Sequence, residues 1–257
     1  MTAPLDAAPV RATTGSPGTR LWGGLTLAGF ALLLAFAFLW SPADILQQDA
    51  VRLMYVHVPT AIVAFTACFI TTVASAMWLR RKTEGWWVLG AASAEVAVVF
   101  TAVCLITGSI WGRITWGTYW DWDPRITSTT MLFILLIGYL ALRRIDSEAG
   151  DSAQRGARSA IVGLLLFPNV VIVHFSVDWW RSLHQSATIT RLDPTIEGTM
   201  LFTLMLGIVV FSMLFAWLLV HRFRLGWIEE RAGATGLDDA IEERRAEAGV
   251  PTMGATV

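Results

Sequence analysis

Six apolar runs, at about 21–40, 58–79, 86–110, 126–142, 159–177 and 198–220, dominate this chain of 257 residues. Each approaches the ~20 apolar residues a helix needs to cross the hydrocarbon of a bilayer. In that solvent every backbone polar group must be satisfied internally, so helices are the expected form. The charged fraction is only 15% and the mean hydropathy is +0.57, whereas a soluble domain keeps about a quarter of its residues charged. The expected fold is therefore an all-α membrane protein, a six-transmembrane-helix bundle with short connections. The first run follows Arg11 and Arg20 but is too long for a signal-peptide core, and it ends in LWSP with no small-x-small cleavage site. It reads as an anchor that stays.

Several chemistries drop out at once. A net charge of −1 gives no general attraction for nucleic acid. Cys68 and Cys104 sit in apolar runs without a C-x-x-C or C-x-x-C-H, which argues against disulfides, a zinc site, a thioredoxin-like pair and covalent c-type haem. No G-x-x-x-x-G-K-[ST] is present, so ATP is not bound as in a P-loop protein.

Positive charge sets the expected orientation. With the amino terminus cytoplasmic, that side collects Arg11, Arg20, Arg80, Arg81, Lys82, Arg143, Arg144, Arg155, Arg158, Arg222, Arg224, Arg231, Arg244 and Arg245, fourteen of the nineteen Lys and Arg. Arg52, Arg113, Arg125, Arg181 and Arg191 fall on the other side. Both termini then face the cytoplasm, and the outer loops are roughly 41–57, 111–125 and 178–197. The expected divisions are a disordered cytoplasmic segment 1–20, a membrane domain 21–220 and a cytoplasmic tail 221–257 with a short helix near 237–248.

Thirteen tryptophans are present. Trp22, Trp40, Trp78, Trp86, Trp87, Trp217 and Trp227 fit an interfacial belt, since each lies near a predicted helix end. Trp111, Trp116, Trp120 and Trp122 instead crowd into twelve residues of the second outer loop, with Trp179 and Trp180 opening the third. Such a cluster reads as a platform for a flat apolar ligand or a partner surface. Asp123-Pro124 and Asp193-Pro194 suit N-cap and first position of the fourth and sixth helices. Asp121 reads as a solvated loop carboxylate.

His57 stands two residues before Pro59 and is expected at the outer mouth of the second helix. His184 follows Trp180 by four residues, so on an interfacial helix both would share a face. Two outer-side imidazoles beside six indoles suggest haem ligation at a bundle mouth. His174 is expected in a structural or supporting role past a Pro168 kink, and His221 as an interface anchor. Propionates would need cations, and Arg113, Arg125, Arg52 and Arg181 lie beside these motifs. Glu95, near the middle of the third helix, must be protonated, paired or inward-facing.

The segment GSIWG (108–112) followed by WGTYWDWDPRITS (116–128) resembles the tryptophan-rich WWD signature of haem-handling proteins of cytochrome c maturation. RLMYVHVPTA (52–61) and HFSVDWWRSLHQ (174–185) are similar to segments of the same group, and with six spans they point to the haem exporter protein C (CcmC) family. The resemblance covers about residues 21–225; Tyr119 stands where relatives commonly have Trp, and Pro124 where a small residue is common. It implies that His57 and His184 ligate the iron of non-covalent haem b and that Trp116 through Arg125, including Tyr119, Trp120, Trp122 and Asp123, hold the macrocycle, with Trp111, Arg113 and Trp180 beside it. It further implies a haem-loading component of the bacterial inner membrane rather than an enzyme, with its site facing the periplasm. Haem would pass to the chaperone CcmE, with the small subunit CcmD and the ABC transporter CcmA/CcmB as partners and lipid around the bundle. Two rival readings are a membrane b-type cytochrome moving electrons to or from quinone, and a scaffold whose tryptophan loop binds only protein.

Overall fold

A computed structural model of the chain describes residues 14–148, 156–185, 196 and 198–247, and among them it is all helical. The elements are α1 (Pro17–Ala35), closing in a π-type turn over Phe36–Trp40, then a 3-10 turn (Asp49–Leu53), α2 (Met54–Arg81), α3 (Glu84–Trp116), α4 (Pro124–Glu148), α5 (Ala157–Trp179) and α6 (Gly198–Glu247). Six helices are long and apolar enough to cross a membrane. The six-span bundle expected from the apolar runs is the fold observed.

Local chemistry fixes the helix ends. Ser16 and Thr19 form a reciprocal capping box around Pro17, which loses nothing at a first helical position. Residues 17–20, expected to be disordered, are therefore helical. Lys82 ends α2 and Gly117 ends α3 in the left-handed region, at φ 51 and 79.

The centre is α2, which packs against α3, α5 and α6, while α1 lies outside and docks along α6. Ala67, Ala74, Ala94 and Ala97 are fully buried. Small side chains let α2 and α3 approach closely, which in a membrane replaces the hydrophobic effect as the packing force. Ser93 Oγ then reaches the Ala67 carbonyl at 2.7 Å. Leu132, Leu136, Leu166, Leu204 and Phe211 complete the core. Large apolar side chains along the outer faces, such as Leu27, Phe69, Ile134 and Phe202, stay exposed, as a lipid-facing surface requires.

Three expectations about helix limits need correction. The second helix begins before His57, not at Pro59: the 3-10 turn feeds directly into α2, and Pro59 sits inside it. Proline leaves the Tyr55 carbonyl without its i+4 donor, and α6 approaches there at Gly207, where a Cβ would lie 3.0 Å from that oxygen. The third helix runs to Trp116 rather than 110, so the connection to α4 is only 117–123. The tail is no separate short helix, since α6 continues unbroken to Glu247. Glu95 takes one of the states its position requires and is paired: it accepts from Arg222 Nη2 at 2.7 Å, near the end of the bundle opposite His57. Asp193, Pro194, Arg191, Arg11 and Arg155 lie outside the described residues.

Candidate functional site

One end of the bundle collects His57, His184 and the tryptophans around 111–122. The start of α2, the end of α3, the 117–123 connection, the start of α4 and the segment after α5 meet there. His57 enters from the second turn of α2 and lies against Gly108 of α3, where a Cβ would meet His57 Cε1 at 2.8 Å. Only glycine gives the imidazole this seat. Its Nδ1 stands 3.1 Å from the Cys104 carbonyl and 3.1 Å from Thr107 Oγ1. A carbonyl can only accept, so Nδ1 carries the proton and Nε2 keeps a free lone pair. Trp111 packs edge-on to the ring at 5.7 Å, and its Nε1 donates to Gln47 Oε1 at 2.7 Å.

Cys104, Gly108, Gly112 and Trp116 recur every four residues and share one face of α3. Trp116 folds back over Gly112, where a Cβ would lie 3.0 Å from its Cε3, and its indole stands edge-on to His184 at 4.6 Å. One stripe of α3 therefore touches both imidazoles.

Asp123 organises the second histidine. It caps α4 as the sequence predicts, accepting from the N–H groups of Arg125 at 2.9 Å and Ile126 at 3.4 Å. The same carboxylate takes Ser182 Oγ at 2.6 Å, the Leu183 N–H at 2.7 Å and His184 Nδ1 at 3.0 Å. It is 4% exposed. Burial alone would raise its pKa, but the bonds from Ser182 and Leu183, the neighbouring His184 and the Arg125 N–H outweigh it, and the carboxyl ends below its ordinary value. Burial lowers the His184 pKa despite the opposing Asp123 charge. Near neutral pH the pair is thus a neutral imidazole donating from Nδ1 to a carboxylate, again with Nε2 bare.

The segment 180–185 is not helical, which removes the expected shared face of Trp180 and His184. The chain turns extended at Trp180 because the Asp123 carboxylate draws in the donors that follow it. Trp180 is exposed and stands edge-on to Trp179 at 5.8 Å. Trp120 and Trp122 form a T-shaped pair at 5.7 Å, with Trp122 79% exposed. Thr118 braces that turn by donating to the Trp120 carbonyl at 2.7 Å. A cleft of about 300 Å³ opens between Asp121, Trp122, Asp123 and Arg181, Ser182, Leu183.

The arginines divide by role. Arg113 donates to the Gly117 carbonyl and lies over the Tyr119 ring, which steadies the loop. Arg125 donates to the His174 carbonyl at 3.0 Å and so ties α4 to α5. Arg52 is committed elsewhere, to the carbonyls of Ala37 and Ser41 and to Asp49, closing the end of α1. The expected supporting role of the His174 ring is also corrected: the ring is exposed beside Phe175, and only its backbone carbonyl faces the site. His221 anchors the amino-terminal segment through Thr14 Oγ1 at 3.0 Å.

Thr107 and Gln47 went unread in the sequence, and Gly108, Gly112 and Ser182 stood in the quoted motifs without a role. The glycines alone carried a signal, a small residue every fourth position leading into a tryptophan loop.

Comparison with known proteins adds an independent line. The profile of the family described as "Heme exporter protein C" matches residues 9–237. The chain is 37% identical to the heme exporter protein C of Haemophilus influenzae over 212 residues, 81% of this chain and 83% of that protein. It is 35% identical to that of Escherichia coli K12 over 198 residues, 75% and 78% of the two chains. The heme exporter protein C of Paracoccus denitrificans is 31% identical over 223 residues, 85% and 90%.

Proposed function

This chain belongs to the heme exporter protein C family, and from that membership we propose that it receives haem at the mouth carrying His57 and His184 and hands it on during cytochrome c maturation. Its role in haem export and its multi-pass membrane character follow from the family and the six apolar helices. The finer reading is that His57 Nε2 and His184 Nε2 ligate the iron of haem b. Trp116 and Trp111 flank the two imidazoles, while Tyr119, Trp120, Trp122 and Trp180 supply aromatic surface around the mouth.

The observation that carries this reading is the state of the two rings. Each Nδ1 is bound to an acceptor that cannot donate, Cys104 O in one case and the Asp123 carboxylate in the other. That arrangement presents a neutral imidazole with an unprotonated Nε2, the form a metal takes. A merely solvated interfacial histidine needs no such partner.

Haem also brings two propionates. Arg113 and Arg125 each spend one donor on a carbonyl, and a guanidinium has five, so both keep donors for a carboxylate. Bis-imidazole ligation fills the iron's axial positions, which suits holding haem more than oxygen chemistry. In this role the chain is a loading component and not an enzyme. The excess of Lys and Arg toward the opposite end supports a site on the periplasmic face of the inner membrane. From there haem passes to the chaperone CcmE, with CcmD beside this chain and CcmA/CcmB supplying the ATP-driven step.

Separate His57→Ala and His184→Ala variants test the proposal, with haem content and haem-loaded chaperone both measured. Each is expected to lose most of both. Full haem and full transfer in either variant would remove that histidine from the site.

A further inference from the structure

The two histidines face unequal partners. His57 Nδ1 meets a neutral backbone carbonyl at 3.1 Å, whereas His184 Nδ1 meets the buried Asp123 carboxylate at 3.0 Å. A hydrogen bond to an ionised acceptor is roughly twice as strong as a neutral one. A carboxylate behind an imidazole also orients the ring and raises the basicity of its far nitrogen. The Ser182 hydroxyl, the Leu183 N–H and the Arg125 N–H hold Asp123 in place for this task. His57 has no ionised partner: its Nδ1 meets only the Cys104 carbonyl and Thr107 Oγ1, both neutral, and Gly108 seats the ring.

Resting on the reading that both rings ligate haem, we infer that His184 is the strong ligand retained until the end of transfer and His57 the weak ligand released first. Asp123 is the positioning residue that creates the difference. It accepts from the Arg125 N–H, the Ser182 hydroxyl, the Leu183 N–H and the ring of His184, so both its oxygens are engaged within the protein. His184, on the 180–185 segment, would then hold the haem near the exposed rings of Trp120, Trp122 and Trp180, and a donor side chain of the incoming acceptor could take the place of His57.

The test uses the full chain in detergent, loaded with haem, and reads the midpoint potential together with the carbon monoxide adduct of the reduced form. Asp123→Asn keeps an oxygen acceptor for the cap and for Nδ1 but removes the charge. It is expected to weaken haem binding by roughly 10–100-fold and to raise the potential, because a less electron-rich ligand favours ferric iron less. Gly138→Ala, which adds a methyl group into open space on α4, is the control, and its potential is expected to match the parent.

Carbon monoxide takes the position of whichever histidine yields. The parent adduct should therefore share its vibrational signature with the His57→Ala adduct and differ from that of His184→Ala. An unchanged potential in haem-bound Asp123→Asn would overturn the inference, as would a parent adduct matching His184→Ala. If Asp123→Asn does not insert, the adduct comparison decides by itself. A parent chain that binds no haem sinks the proposed function as a whole, whereas a parent that binds through two equivalent histidines sinks only this inference.

Discussion

At Gly108 a single methyl group decides whether the His57 ring has a seat, because the added carbon would lie 2.8 Å from Cε1. Gly108→Ala should therefore lower haem per purified protein by roughly tenfold, the lower edge of what losing a well-oriented ligand costs. Gly138→Ala, with open space around its Cβ position, should leave haem content unchanged. Residues of this kind were only partly legible. His57, His184 and the cap at Asp123 could be read from residue type and neighbours, since an Asp-Pro pair carries its own local geometry. The second duty of Asp123 could not, because Ser182 and His184 lie about sixty residues away and nothing local brings them back. Arg52 was misread for the converse reason: its proximity to His57 in sequence suggested a ligand contact, while its guanidinium closes the end of α1.

Among the elements, α3 and the turn that ends it carry the site. Gly117 adopts φ 79, and its carbonyl receives Arg113, so the course of the 117–123 connection starts from a left-handed residue. Gly117→Ala should cost about 1 kcal/mol or more in thermal unfolding. It should also change the tryptophan emission of the exposed Trp120–Trp122 pair, an effect that steady-state fluorescence measures directly. Hydropathy located all six spans but stopped α3 six residues short at the site end, at 110 rather than 116. Trp111 and Trp116 read as loop because amphipathic rings, glycine and arginine interrupt the apolar pattern, while the backbone hydrogen bonding of α3 carries on through them. The 180–185 segment failed in the opposite sense. A four-residue spacing suggested helix, and a buried carboxylate from another element won its donors instead.

For the molecule as a whole, polar links between α3 and α6 stand at the end away from the site. Glu95 pairs with Arg222, and Trp87 Nε1 donates to Glu230 at 2.8 Å. Glu95→Ala should lower the thermal midpoint by leaving the Arg222 guanidinium without its carboxylate, and the exchange Glu95→Arg with Arg222→Glu should recover part of the loss. Sidedness is open to a direct measurement. Thr118→Cys should react with a membrane-impermeant maleimide added from the periplasmic side, and Gly233→Cys only after the cytoplasmic side is opened. Cys68 and Cys104 are buried and should stay silent in the parent. Labelling in the reverse order would overturn the proposed orientation.

α6 is a single helix of 50 residues, about 75 Å from tip to tip at 1.5 Å per residue. The oily slab it pierces is ~30 Å thick, so a large part of this shaft stands in water like a mast above a deck. The clasps at Glu95 and Trp87 fasten this shaft to the very helix on which both imidazoles lean.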